Sequence, residues 1–263
     1  MPISLGQAPP PETDAPRGAS CTKDVESTPF GCYFFSNVYG SLLIIKGGKP
    51  GSGERINVRE DLNLEADQVP EAGFGFSPRD HRLGFEYLPL RFKGKDTLSE
   101  PLVFHGANYP TGTRVNSDLD YNFYSFRYDY RVLRADLGDL RVGFQGYYWV
   151  FDSRIKGSAP GATFDEHRGF SSFYPAGILS GQLRFGILHL NDSFVLGGLS
   201  LERSIIDTAG SAGVRLWNHL DLDLGYRAMH FDMTETTNDG DLTVHGPFFQ
   251  LSITFWTVLN PET

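Results

Sequence analysis

The stretch "HLDLDLGYRAM", residues 219–229, alternates with a period of two. Leu220, Leu222, Leu224 and Tyr226 fall on one side of an extended chain, and Asp221, Asp223 and Arg227 fall on the other. Successive side chains along a strand point to opposite faces of a sheet, so this is a strand with one apolar and one charged face. Two folds use such a strand. In a water-soluble barrel or sandwich the leucines line the core. In a membrane barrel they face lipid and the charges fill the interior.

The same alternation recurs at 39–47, 81–93, 117–133, 140–152, 178–188, 204–217 and 242–256, which with 219–229 makes eight strands. Residues 54–64, 101–109 and 194–201 offer a further pair, so ten is the alternative count. Two runs change phase. One change follows Tyr87, beside Pro89, and a proline inside a strand points to a bulge or an edge. The other follows Phe123: Leu119, Tyr121 and Phe123 give way to Phe126, Tyr128, Tyr130 and Val132, which reads as a slip of one residue. No helix of three turns and no repeat of fixed period is visible. No run approaches the ~20 apolar residues of a membrane-spanning helix, which leaves spanning strands open.

Four features favour lipid on the outside. Full charges of both signs sit at mid-strand on the polar faces: Arg127, Asp129, Arg131, Arg141, Arg184, Arg215, Asp221, Asp223 and Arg227. A closed interior needs both signs so that each charge finds a partner. Aromatic residues, 14 % of the chain, crowd the strand ends, as in an interfacial girdle. Short turns join consecutive strands, which fits up-and-down topology. The last strand sets Phe249, Leu251, Ile253 and Phe255 against Gln250, Ser252 and Thr254. The predicted fold is therefore all-β, an up-and-down antiparallel transmembrane β-barrel over residues 37–257. Residues 1–36 are Pro-rich and read as a flexible N-terminal arm; 258–263 form a short tail. With a periplasmic N-terminus, 48–80, 134–139, 189–199 and 234–241 face outward, and 94–116 and 154–176 become long periplasmic turns. The alternative is a soluble lipocalin-like barrel with the leucines inside.

The C-terminal third, "HLDLDLGYRAMHFDM" followed by "GDLTVHGPFFQLSITFW", resembles the last hairpin of the eight-stranded outer-membrane barrels of the OmpA, OmpX and OmpW kind. In them a "GYR" strand precedes an acidic loop and a "GPFF" strand ends in an aromatic. "RINVREDLNLE" and "HRLGFEYLPLRF" resemble the first half of Gram-negative barrels of this size. The chain departs from the pattern in one respect, since "TVLNPET" follows Phe255 and Trp256. The resemblance implies the bacterial outer membrane and outer-membrane lipid as surroundings. The first twenty residues carry no apolar h-region, so they are not a secretory signal peptide, and an outer-membrane reading requires a signal removed from this numbering.

Chemistry is sparsely marked. The net charge of −9 argues against a nucleic-acid footprint. The two cysteines, Cys21 and Cys32, could pair in an oxidising compartment; "GASC" also hints at lipidation of Cys21. Seven histidines are scattered, none at metal-ligand spacing. In "HLNDS", His189 and Ser193 are the nearest approach to a hydrolytic pair, but their spacing suggests opposite sides of a strand end or a turn. Glu60, Asp61, Glu65 and Asp67, with Glu235, Asp239 and Asp241, form acidic loops without the spacing of a calcium site. Neither a cofactor nor a metal is expected. The functional expectation is a structural, anchoring or partner-binding barrel, not an enzyme, with its interior plugged by charge and a partner met through residues 1–36 or the loops. A narrow anion-preferring pore, a rim-located lipid-modifying enzyme and a soluble ligand carrier are the alternatives.

Overall fold

The computed structural model describes residues 25–44, 53–66, 69–200, 203–217, 219–234 and 238–257. These form β1 (Val25–Phe34), β2 (Asn37–Ile44), β3 (Arg55–Asn57), β4 (Glu65–Ala66), β5 (Val69–Pro78), β6 (His81–Thr97), β7 (Leu102–Phe104) and β8 (Ala107–Tyr109). There follow β9 (Arg114–Ala135), β10 (Gly138–Ala159), β11 (Ala162–Phe185), β12 (Leu188–Ser200), β13 (Arg203–Leu216), β14 (Leu220–Thr234), β15 (Asn238–Ile253) and β16 (Phe255–Thr257). The β7–β8 hairpin stands apart; the rest join one antiparallel sheet, closed where β1 pairs with β15.

The closed wall has ten strands, the alternative count and not eight. β1 and β2 act as one strand, since Phe34 opposite Phe248 and Asn37 opposite His245 keep a single register against β15. The ladder is interrupted beside Pro247, which has no amide hydrogen to donate. β16 extends the same register, with Val25 opposite Thr257. The two additional wall strands are β5, which lies in a stretch read as loop, and β12, foreshadowed only by 194–201. The other candidates lie outside the wall: 54–64 holds the short β3, and 101–109 is the β7–β8 hairpin. Residues 25–36, assigned to the arm, form β1 and the start of its continuation. The remainder of the arm and the 258–263 tail lie outside the described residues.

The loop assignment also changes. Arg79–Asp80, Asp136–Leu137, Gly186–Ile187, Trp217 and His219 share one end of the barrel with Val25 and Thr257. This is the turn end. The connections after β2, β6, β10, β12 and β14 lie at the opposite, loop end. Thus 134–139 lies with Val25 and Thr257, 189–199 is a strand, and 94–116 and 154–176 belong to the loop side.

Strands β9, β10 and β11 run 22, 22 and 24 residues. A bilayer crossing takes roughly 9–11, so about half of each projects beyond it. Odd-numbered residues of β10 point inward from Arg141 to Ile155 without interruption. Near the turns the inward set is polar, Arg141 and Gln145, while Leu140, Val142, Phe144 and Tyr148 are exposed outside. Beyond Tyr147 the inward set is Trp149, Phe151 and Ile155, and Asp152, Arg154 and Lys156 point outward. On β9 the same exchange sets Tyr124 and Phe126 outside and Leu119, Tyr121 and Phe123 inside. The expected phase slip after Phe123 is therefore an exchange of polarity between the two faces, with pairing to β10 unbroken there. The β6–β9 register also passes Pro89 without a shift; the proline falls between the pairings of β6 with β5 and with β4.

The outer apolar band belongs to a membrane barrel, and the projecting part is a head with its own core. The leucines of β14 face outward, and Asp221, Asp223 and Arg227 face the interior. This overturns the lipocalin-like alternative. At the loop end Ile56, Leu62, Leu98, Phe104 and Tyr109 are buried. The Tyr109 hydroxyl donates to the Ile155 carbonyl at 3.0 Å, fixing the β7–β8 side of this lid to β10.

Candidate functional site

In the turn-end half the barrel encloses a polar chamber of about 350 Å3. Of the charges singled out in the sequence, Arg127, Asp129, Arg131, Arg141, Arg215, Asp221, Asp223 and Arg227 face this interior. Arg184 stands at its mouth and hydrogen-bonds Gln182.

Two clusters organise the chamber. In the first, the buried Asp129 carboxylate meets Arg82 at 3.0 Å, Arg141 at 3.5 Å and Arg127. The Ser180 hydroxyl accepts from Arg82 at 3.0 Å and from Arg127 at 2.7 Å. Arg141 also donates to Asp139 at 3.0 Å, and Arg131 to Asp80 at 3.2 Å. In the second, Arg227 lays two nitrogens on Asp207 at 3.0 and 2.7 Å. Its remaining nitrogen reaches Glu86 at 2.8 Å and Glu71 at 3.3 Å. Such forked guanidinium–carboxylate bonds are charge-assisted and directional. Closer to the turns, Arg215 forks onto Asp221 at 2.7 Å. Asp223 accepts from Asn191 at 3.0 Å and Ser211 at 3.1 Å, and lies 2.9 Å from His189 Nε2.

Sequence reasoning missed Arg82, Glu71, Glu86 and Asp139, left Asp207 out of the interior set and weighed His189 only beside Ser193. Arg82 and Glu86 were legible, since they oppose Leu83, Phe85 and Tyr87 in the same alternation. Glu71 was hidden because its strand read as loop.

The chamber is roofed by rings. Trp149 stacks with Tyr121 at 5.6 Å between centroids and with Phe123 at 6.1 Å, and packs on Phe231 and Tyr174. These side chains are buried, so the bore is filled above the chamber. Aromatic pairs of this kind bury large areas and fix geometry.

Above the band, the outer face of the head carries charges in register. Arg91 opposes Asp120, which opposes Asp152; Lys93 opposes Asp118, which opposes Arg154. Partial burial raises the Asp120 carboxyl above the usual range; Arg91 pulls it down, and Asp152 and Asp118 push it up. Arg154 forks onto Asp165 at 2.7 and 2.6 Å, and this hydrogen bonding holds the Asp165 carboxyl below its ordinary value. His167 Nε2 lies 2.6 Å from Asp152.

The remaining candidates separate. His189 and Ser193 both point inward, on the same face, so the expectation of opposite sides is corrected. Four residues of strand set them ~13 Å apart. Cys32 lies in the barrel interior as a free thiol among the described residues; Cys21 lies outside them. Asp61 accepts from the Asn57 amide, and Asp239 pairs with Arg55; Asp67 and Glu235 lie outside the described residues. Among the described residues no three His, Cys, Asp or Glu side chains are grouped to hold a metal.

No protein-family model matches this sequence, and none of the curated proteins does. Solved structures do match in shape. The outer membrane protease OmpT from Escherichia coli superposes with a TM-score of 0.55 at 10% identity, over 89% of this chain and 98% of that one. Ail of Yersinia pestis gives 0.37 at 10% identity, over 88% and 98%. The transport unit of the autotransporter AIDA-I from Escherichia coli gives 0.41 at 10% identity, over 89% of each chain. At such identities the likeness is one of fold, and the OmpT superposition carries it. Together with the apolar outer band, it gives this chain the fold of an outer-membrane β-barrel.

Proposed function

We propose that this barrel is a non-conducting outer-membrane anchor that holds a rigid head outside the cell as a surface for a partner. The observation that carries the reading is the exchange of polarity along β9 and β10: these strands cross lipid and then enclose an aromatic core in water. Short turns mark the periplasmic end in barrels of this type, which puts the head outside. The ring layer around Trp149 fills the bore, so the geometry favours an anchor over a narrow pore. The charged outer face of the head and the lid over β7–β8 are the surfaces that a partner would meet.

Two measurements test this. Planar-bilayer recording should show no single-channel steps; steps that vanish on heat unfolding would overturn the anchor reading. A membrane-impermeant maleimide applied to intact cells should label Lys156→Cys and spare Asp136→Cys. The reverse pattern would invert the orientation and remove the head from the cell surface.

A further inference from the structure

The chamber's charges are segregated around its wall. On β6, β9, β10 and β11 five arginines, Arg82, Arg127, Arg131, Arg141 and Arg184, face three carboxylates, Asp129, Asp139 and Glu86, with Asp80 in the adjoining turn, and Glu86 is bonded across the chamber to Arg227. On the opposite side carboxylates are in excess, as around Arg227. The arginine side thus holds a surplus of cation that its own carboxylates do not neutralise. One of its donors is also spare. Arg82 and Arg127 share Ser180 Oγ, whose two lone pairs accept from both. Arg131 Nε is buried, stands 3.7 Å from Asp139, and makes no hydrogen bond.

Guanidinium groups present planar forks that match the oxygens of phosphate, sulfate and carboxylate. A cavity of about 350 Å3 falls at the small end of ligand-sized sites. The roof around Trp149 closes it above, and its mouth is at the turn end.

We propose that the arginine side of this chamber binds a small free oxyanion of the phosphate or sulfate class, entering from the periplasmic side. The anion accepts from Arg131 and Arg184 near the mouth and lies under Arg82 and Arg127. A lipid phosphate is a poorer fit, because its acyl chains would have to lie against charged walls. The site is separate from the head, and the anchor reading stands or falls without it.

The test is a titration of inorganic phosphate into the full chain refolded in a phosphate-free detergent, read by 31P line broadening. Binding with a Kd of order 1 mM or tighter is expected. The Arg131→Gln/Arg184→Gln double variant should bind about tenfold more weakly, and Arg154→Gln on the head should bind as the parent does. Heat-modifiable gel mobility checks that each variant is folded. If the double variant does not fold, Ser180→Asp replaces it, setting a carboxylate where Arg82 and Arg127 meet, with the same loss expected. No broadening by phosphate overturns the proposal. So does binding that the folded variant retains, or a short-chain phosphatidic acid that binds more tightly than phosphate.

Discussion

Asp207 accepts a hydrogen bond from the Tyr147 hydroxyl at 2.8 Å and a forked pair from Arg227 at 3.0 and 2.7 Å. Tyr147 lies one inward position below Trp149 of the aromatic roof and Arg227 belongs to the charged chamber, so Asp207 joins the two layers of the interior. Arg227 is the group on which this junction turns, because it also meets Glu71 and Glu86. Removing one partner of a buried ion cluster leaves the others desolvated without compensation. Arg227→Ala should lower the unfolding free energy by about 3–5 kcal/mol, measured by urea titration of the refolded barrel with tryptophan fluorescence. A loss below about 1 kcal/mol, the range of an exposed pair, would mean that the cluster is well hydrated.

Gly213 allows His189 and Asp223 to meet. A Cβ at this position would lie 2.4 Å from His189 Nε2 and 2.6 Å from the Leu222 carbonyl oxygen, neither of which can be tolerated. Gly213→Ala should destabilise by about 2–4 kcal/mol and reduce the heat-resistant folded band on gels. An unchanged folded fraction would show that β13 and β14 can separate locally.

Asp192 points outward from β12 between Leu190 and Phe194, opposite Gly181 and Gly210 on its neighbours. It is a carboxylate in the lipid-facing band. A charge on that face costs more with depth, and a carboxylate less than an arginine or lysine. Asp192→Leu should therefore raise stability in lipid vesicles by about 1–2 kcal/mol, seen as a higher urea midpoint. A lower midpoint would show that the carboxylate is bonded in the membrane.

Asp120 gives the head a pH dependence of known sign. Burial raises its folded carboxyl, against Arg91, with help from Asp152 and Asp118. The folded state therefore holds the proton more tightly than the unfolded chain does. Its contribution is fully present below the unfolded carboxylate range and is lost as pH rises through the raised value. Asp120→Asn should flatten this slope and leave the head at least as stable at neutral pH, measured by thermal melts from acid to neutral pH. A slope that survives the substitution would place the titration on another group.

Much of this architecture was legible in period-two runs, because a one-residue error of register would turn a whole face over. β14 reads as a strand from Leu220 onward, and Asp221, Asp223 and Arg227 read as inward. The strand count was harder. β5, "VPEAGFGFSP", carries small residues and two prolines where side chains would signal a strand, and β1 spends its pattern on Pro29 and Gly31. Among the partners of Arg227, Glu71 was invisible for the same reason, on a strand that composition disguises, while Glu86 and Asp207 stood in readable alternation beside Phe85 and Ile206. The exchange of polarity was visible after Phe123 but misread. Alternation alone reports which residues share a face, while the medium beyond that face is set by the height of the strand in the membrane.

The change from Tyr148 to Asp152 on the outside of β10 also works as a ruler. From Leu140 to Val150 the outer face runs ten residues, ~24 Å at a tilt near 45°. Charge begins immediately above, at Asp152 and Asp120, and the tight turns end the wall below. A barrel marked at both edges cannot ride up or sink to match a thicker bilayer without drawing carboxylates into hydrocarbon. Hydrophobic mismatch therefore tethers this protein to thin membranes, and the lipid around it must yield before the protein does.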